Sequence, residues 1–163
     1  MPEMKNALVD LLCERLAVET GGVELYRAIL AKLPEQEVAA RLEHFMNEEA
    51  QHRDLLAGYL DRMNVSDRET PSARLAKHEG EAYLTLVGEA TTPAQLLNIL
   101  LTVELMDETG WEMLINLGRD LGDEDMVATF TQALRSEKEH LRGVRGMLAQ
   151  MNRALVMAEG ALA

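Results

Sequence analysis

Residues 45–56 read FMNEEAQHRDLL, and residues 133–144 read ALRSEKEHLRGV. Each stretch contains a glutamate followed three positions later by a histidine, namely Glu49 with His52 and Glu137 with His140. Three positions are close to one helical turn, so each pair projects from one face of a helix. Apolar residues flank both pairs at alternating steps of three and four, the spacing of a helix packed lengthwise against others. Both stretches therefore predict long packed helices whose buried face is interrupted by a carboxylate and an imidazole.

The same periodicity extends over most of the 163 residues and predicts one all-α domain. It indicates four long helices, at about residues 4–32, 35–63, 93–118 and 123–157. The connections within the first and second pairs are short, which is typical of antiparallel helical hairpins. Residues 64–92 form a longer crossover, in which we expect a short helix at about residues 71–88. The predicted fold is a four-helix bundle of two hairpins joined by this crossover.

Local signals support the predicted helix ends. Pro34 fits the first position of the second helix. Thr92-Pro93-Ala94-Gln95 has the sequence of a capping box and predicts the start of the third helix. The segment 118–123, GRDLGD, predicts a turn between the third and fourth helices.

Ionisable residues interrupt the apolar faces of the other two long helices as well. Glu19 in the first helix, and Glu104 and Asp107 in the third, stand where a bundle would bury leucine. An isolated buried carboxylate costs many kcal/mol or forces a large pKa shift, so these groups need a compensating charge. Two divalent cations would neutralise four carboxylates. The predicted metal ligands come from all four helices: Glu19, Glu49, His52, Glu104, Glu137 and His140.

The two halves of the chain repeat this pattern. The glutamates of the first and third helices are 85 residues apart, and the two Glu-x-x-His pairs are 88 residues apart. The repeat predicts a site with a pseudo-two-fold axis, in which each half supplies one terminal histidine.

Composition restricts the class of protein. The formal net charge of −12 argues against a nucleic-acid partner, since phosphate binding requires concentrated Lys and Arg. The single cysteine, Cys13, excludes an internal disulfide and a Cys-x-x-Cys site. The sequence contains neither an apolar run of membrane-spanning length nor a recognisable signal peptide, so we expect a cytoplasmic protein without a membrane partner.

At these residues the chain resembles the ferritin-like superfamily of di-iron carboxylate proteins, which includes bacterioferritins, ferritins and rubrerythrins. The resemblance covers roughly residues 4–157 and implies two iron ions per chain, with manganese or a mixed Fe/Mn pair as alternatives. The ligand set is similar to that of bacterioferritin. Ala50 occupies the place of the haem-binding methionine of that family, so no haem is expected. There is neither a clear fifth helix after His140 nor a set of cysteines for a rubredoxin domain.

The resemblance also implies roles for residues around the ligands. Asp107 lies one turn after Glu104, as an extra carboxylate does in rubrerythrins, and it would be a ligand, a hydrogen-bond partner or a partly solvated group. Tyr26 would hydrogen-bond a ligand carboxylate, donate one electron, or be a core tyrosine. Trp111 takes the equivalent place in the second half. Glu48 would accept a hydrogen bond from His140, and Ser136 one from His52, unless both face solvent.

The expected function is reaction of Fe(II) with O₂ or H₂O₂, as a ferroxidase or as a rubrerythrin-like peroxide-reducing oxidoreductase in iron or oxidative-stress handling. A peroxidase would add an external electron donor as a partner. Three alternatives stay open: an iron storage or carrier protein, an oxygenase-type enzyme with an organic substrate, and a structural di-metal bundle without turnover. Exposed apolar stripes are common on long helices, so a homodimer or larger homo-oligomer is expected.

Overall fold

The computed structural model describes residues 2–33 and 36–160, and over these ranges the regular structure is entirely helical. The helices are α1 (Pro2–Leu30), α2 (Gln36–Arg62), α3 (Pro71–Glu89), α4 (Pro93–Leu121) and α5 (Glu124–Gly160). The predicted all-helical class is therefore confirmed. The prediction that Pro34 begins the second helix concerns a residue outside the described ranges. None of these helices, as far as it is described, combines the length and apolarity needed to cross a membrane.

The consecutive long helices, α1 with α2 and α4 with α5, run antiparallel. Glu19 of α1 lies 3.7 Å from His52 of α2, whereas Gly22, further along α1, lies beside the earlier residue Glu49. The same reversal joins α4 to α5, where the contacts are Gly118 with Met126 and Glu112 with Lys138. Short connections between neighbouring helices favour this arrangement.

Helix α3 corresponds to the short helix expected in the crossover, and it runs parallel to α1. The contacts between the two helices advance together along both chains: Asp10 with Ser72, Gly21 with Gly80, and Lys32 with Val87. The Lys32 ammonium donates hydrogen bonds to three carbonyls around the end of α3. A cation at a helix C-terminus also interacts favourably with the helix dipole, so Lys32 fixes the end of α3 on α1.

Helix α4 begins as predicted but ends later than expected. The capping box is confirmed: Thr92 Oγ1 accepts from the Gln95 amide, and Gln95 Oε1 accepts from the Thr92 amide. The predicted turn at residue 118 is wrong, because α4 continues to Leu121. Gly118 is instead a helical position packed against α5, and the left-handed residue that ends the helix is Gly122, with φ of 69°.

The apolar core consists of two clusters, one toward each end of the long helices. The first includes Leu12, Leu56, Trp111 and Phe130, and the second includes Ile29, Leu42, Leu97 and Val144. On each long helix, the predicted ligands lie in sequence between the residues of these two clusters. The candidate site is therefore at mid-length, with apolar side chains on both sides of it.

Candidate metal centre

Eight buried ionisable side chains meet at mid-length, two from each long helix. They are Arg15 and Glu19 on α1, Glu49 and His52 on α2, Glu104 and Asp107 on α4, and Glu137 and His140 on α5. None is more than 6% exposed. Long charged side chains are almost never fully buried unless they are paired or bind a metal. The concentration of eight such groups at one level identifies this cluster as the candidate functional site.

The six predicted ligands form two overlapping groups of four. Within each group, one nitrogen or oxygen atom of every residue lies within 4.8 Å of the others. Position 1 consists of Glu19, His52 and two shared carboxylates, and position 2 of Glu104, His140 and the same two carboxylates. The shared residues are Glu49 and Glu137. The arrangement fits two neighbouring cations bridged by two carboxylates, each with its own terminal glutamate and histidine.

Several polar atoms of this cluster lack a hydrogen-bond partner among the described residues. Among the six predicted ligands, they are both carboxylate oxygens of Glu19 and of Glu137, one oxygen each of Glu49 and Glu104, and His52 Nδ1. His52 Nδ1 lies 2.6 Å from Glu137 Oε1, but without the alignment of a hydrogen bond. A buried acceptor left without a donor costs about 1–3 kcal/mol. Because so many such atoms converge, the residues fit a pair of bound cations.

The buried carboxylates outnumber the positively charged groups near them, and their pKa values reflect this imbalance. Burial, together with the nearby charge of Glu137, raises the pKa of Glu49 and of Glu104 well above the ordinary value. Burial also opposes ionisation of Glu137, but its close contacts with the imidazoles of His140 and His52 prevail and lower its pKa to about 2. Burial disfavours the charged His52, yet its contacts with Glu137 and Glu19 raise its pKa to about 10. Binding of cations to these groups must therefore release protons.

His140 is held by carboxylates on both ring nitrogens. Its Nδ1 lies 3.0 Å from Glu49 Oε1, inside the cluster, and its Nε2 lies 3.0 Å from Glu48 Oε2. The expected contact between Glu48 and His140 is thus present, and it leaves Nδ1 facing the site. Ser136 does not contact His52 as expected. Its hydroxyl instead reaches Glu48 Oε1, at 3.5 Å, because Glu48 lies between Ser136 and His140.

Tyr26 and Trp111, the aromatic residues at equivalent places in the two halves, make different contacts. The Tyr26 hydroxyl donates a hydrogen bond of 2.5 Å to Glu104 Oε1, which is one of the roles expected for it. Trp111 packs edge-on against the His52 ring, with centroids 5.6 Å apart. Its indole N–H is buried and has no acceptor among the described residues. Each half of the repeat therefore places an aromatic residue next to the site, but only Tyr26 binds a carboxylate.

Asp107 lies outside both four-residue groups and pairs with an arginine. Arg15 Nη2 donates to Asp107 Oδ1 at 2.6 Å, and Nη1 donates to the Asp107 carbonyl at 3.3 Å. The same guanidinium places Nε 3.5 Å from Glu19 Oε1. Among the roles expected for Asp107, the geometry matches that of a hydrogen-bond partner. Glycine at position 110 makes room for this pair, since a Cβ there would overlap the Arg15 guanidinium.

Sequence reasoning missed Arg15, although a signal was present. Five buried carboxylates carry one negative charge more than the two predicted divalent cations would neutralise, which indicates a further cation. Arg15 lies one helical turn before Glu19, and this is the spacing of an ion pair on one helix face. Arg15 supplies a buried positive charge beside two of the carboxylates, Glu19 and Asp107.

No curated protein matches the chain. A family described as "Domain of unknown function (DUF892)" matches residues 3–156, which include all the site residues described above. This family lies within the ferritin-like superfamily, the group that the ligand pattern indicated, but its description assigns no activity. The chain therefore belongs to the DUF892 family of the ferritin-like superfamily.

Proposed function

We propose that the protein is a di-metal carboxylate protein with the four-helix-bundle arrangement of ferritin-like proteins. In this proposal α1, α2, α4 and α5 form the bundle and α3 lies in the crossover. The observation that carries the proposal is the pair of overlapping ligand groups that share Glu49 and Glu137. A structural ion pair or a surface cluster would not share two buried carboxylates between two equivalent groups.

Charge balance supports two divalent cations. Five buried carboxylates and Arg15 leave four negative charges, which two divalent ions neutralise. Imidazole and carboxylate ligands together suit Fe(II) and Mn(II), and we favour a pair of iron ions, with manganese or a mixed pair as the alternative. When bound, two Fe(II) ions would supply two electrons together for the reduction of O₂ or H₂O₂. We therefore propose a ferroxidase or a peroxide-reducing oxidoreductase in the cytoplasm.

The residues of the chain would support this chemistry in three ways. Glu48 accepts a hydrogen bond from His140 Nε2 and so directs Nδ1 toward the ligand group. Tyr26 positions Glu104 through its hydroxyl. The two apolar clusters limit the access of water, which strengthens electrostatic interactions among the buried groups.

A second candidate function is oxidation of an organic substrate. A cavity of about 340 Å³ lies between α1 and α4 and is lined largely by apolar side chains, including Leu11, Val18 and Met113. Arg15 also lines this cavity, and it contacts Asp107 and Glu19 on the other side. One side chain thus separates an apolar cavity from the ligand cluster, and a small apolar substrate would have room there.

The proposal is tested by metal analysis combined with anaerobic Fe(II) loading and titration with O₂. We expect two metal ions per chain and oxidation of both, with binding strongly reduced in Glu49→Ala and Glu137→Ala. Far fewer than two ions per chain, together with no effect of either substitution, would contradict the proposal.

Turnover of H₂O₂ with an electron donor would favour the peroxidase. A cage-sized particle in size-exclusion chromatography would favour iron storage over the dimer that we expect.

A further inference from the structure

The repeat that relates the two halves breaks down next to Glu19. The offset of 85 residues that relates Glu19 to Glu104 also relates Arg15 to Leu100, which is fully buried in the apolar core. It likewise relates Gly22 to Asp107. The Arg15–Asp107 pair therefore has no counterpart in the other half of the site. Position 1 contains a fixed cation beside its terminal glutamate, and position 2 does not.

Arg15 competes with any ion at position 1. Its Nε lies 3.5 Å from Glu19 Oε1, and the guanidinium is held by two hydrogen bonds to Asp107. Both Arg15 and Glu19 are buried, so their interaction is screened far less than it would be at the surface. A cation that uses Glu19 must share its negative charge with Arg15 and approach a fixed positive charge.

The groups around position 2, in contrast, favour the binding of a cation. Glu48 accepts a hydrogen bond from His140, which orients the imidazole and increases its basicity as a ligand. His52 is the histidine of position 1. Among the residues that the structure describes, no carboxylate lies within 4 Å of its Nε2. Glu104 receives a bond from the neutral Tyr26 hydroxyl, whereas Glu19 faces a full positive charge. Outer partners of this kind change metal affinity by about 10–100-fold.

We infer that the two metal positions are unequal: position 2 binds the first ion tightly, and position 1 binds the second ion weakly, with Arg15 setting the difference. This inference rests on the proposed di-metal function. It implies that one ion is resident and that the other exchanges with solution. Arg15 acts here as a positioning residue through Glu19.

Calorimetric titration with Co²⁺, followed in parallel by absorption spectroscopy, tests the inference. In any di-metal site, shared carboxylates make the second ion bind more weakly than the first. The test therefore determines which residue each of the two binding steps depends on. We expect a first step at least about tenfold tighter than the second. Glu104→Gln should abolish the tight step. Glu19→Gln should leave the tight step nearly unchanged and remove the weak one.

A double substitution isolates the effect of Arg15. Arg15→Leu with Asp107→Asn removes both members of the pair, so neither charged group is left buried without its partner. We expect the second step to tighten about tenfold and the first to stay the same. The exposed pair Arg53–Asp54 offers a matched control, in which Arg53→Leu with Asp54→Asn should change neither step.

The outcomes separate this inference from the function on which it rests. If wild-type protein binds fewer than two Co²⁺ ions, the di-metal proposal itself fails. If two ions bind but Glu19→Gln removes the tight step, the assignment of positions is wrong. If two ions bind and the double variant, folded by circular dichroism, keeps the wild-type ratio of affinities, Arg15 does not set the difference. If that variant does not fold, the two glutamate variants still decide the assignment.

Discussion

Arg15 is the buried residue on which the local packing of the site depends most. Its guanidinium is enclosed by α4, where it contacts Asp107 and passes over Gly110. A buried charge is stable only when it is paired, and removal of one partner of such a pair costs about 3–5 kcal/mol. Arg15 can therefore adopt this conformation only because residue 110, on α4, is a glycine.

The substitution Gly110→Ala tests this dependence. A Cβ at position 110 would overlap the guanidinium and displace Arg15 from Asp107. We expect a loss of about 3 kcal/mol or more in the free energy of unfolding, measured by urea denaturation of the metal-free protein.

Gly146 is the matched control for that substitution. It is a helical glycine of α5 with open space at the Cβ position. Gly146→Ala should stabilise the protein by about 0.5–1 kcal/mol, since alanine favours the helix. Equal stability of the Gly110→Ala variant and the wild type would show that Arg15 is not held in this way.

At the scale of the helices, Asp123 links three elements. Its Oδ1 accepts a hydrogen bond of 2.9 Å from the Met126 amide and so caps α5. Its Oδ2 accepts a bond of 2.6 Å from the hydroxyl of Tyr59, on α2. The Tyr59 bond is the largest cause, followed by the amide, of a lowered pKa for Asp123. The junction after α4 is thereby tied to the end of α2.

The stabilisation by Asp123 should depend on pH. Because its pKa is lower in the folded chain than the ordinary value of 3.8, the carboxylate stabilises the fold fully above that value, and the effect is lost as pH falls through the folded pKa. We expect Asp123→Ala to cost about 1–2 kcal/mol at pH 7, and clearly less near pH 2. Urea denaturation of variant and wild type at both pH values measures this difference. An equal cost at both values would contradict the assigned role of the carboxylate.

At the scale of the whole molecule, the candidate site concentrates repulsion between the four long helices. Five carboxylates share one level of the core with a single arginine, and burial raises the pKa of three of them, Glu49, Glu104 and Asp107, well above the ordinary value. Ligands that bind the folded state alone stabilise it in proportion to the logarithm of their concentration over the dissociation constant. Cations at this level should therefore contribute to the stability of the entire helical assembly.

Thermal unfolding with and without metal measures that contribution. With Mn²⁺ at about one hundred times its dissociation constant, binding adds about 2.7 kcal/mol, which corresponds to a rise in Tm of roughly 5–10 °C for a chain of this size. A chelator should reverse the rise. No change in Tm on addition of metal would contradict binding at a buried site.

Glu49→Gln provides the control for the thermal measurement. Burial raises the pKa of Glu49 well above the ordinary value, which favours the neutral acid in the metal-free protein, and glutamine resembles that acid in shape and charge. The variant should therefore have nearly the same Tm as wild type without metal. It should lose most of the metal-dependent rise, since it cannot provide a bridging carboxylate. A wild-type rise in this variant would exclude Glu49 as a ligand.

The sequence alone determined the helices, because their signals are local. The capping box at Thr92 and the three-residue spacing of Glu49 and His52 are both complete within one or two turns of helix. The same periodicity placed seven ionisable residues on buried faces, and the structure brings together the six that were predicted as ligands. A charged side chain on a buried apolar face needs a group that compensates its charge. The pattern therefore also predicted that these residues lie close together.

Only the tertiary structure decided which groups of different helices face one another. Arg15 and Asp107 are 92 residues apart, and no local period relates them. Ser136 contacts Glu48 rather than His52, and α4 ends at Leu121 rather than Gly118, because packing against α2 and α5 outweighs the local signal. The repeat in the sequence predicted a site with a pseudo-two-fold axis. The contacts of Arg15 with Asp107 and of Glu48 with His140 break that symmetry, since side chains far apart in the sequence determine the charge around each group of predicted ligands.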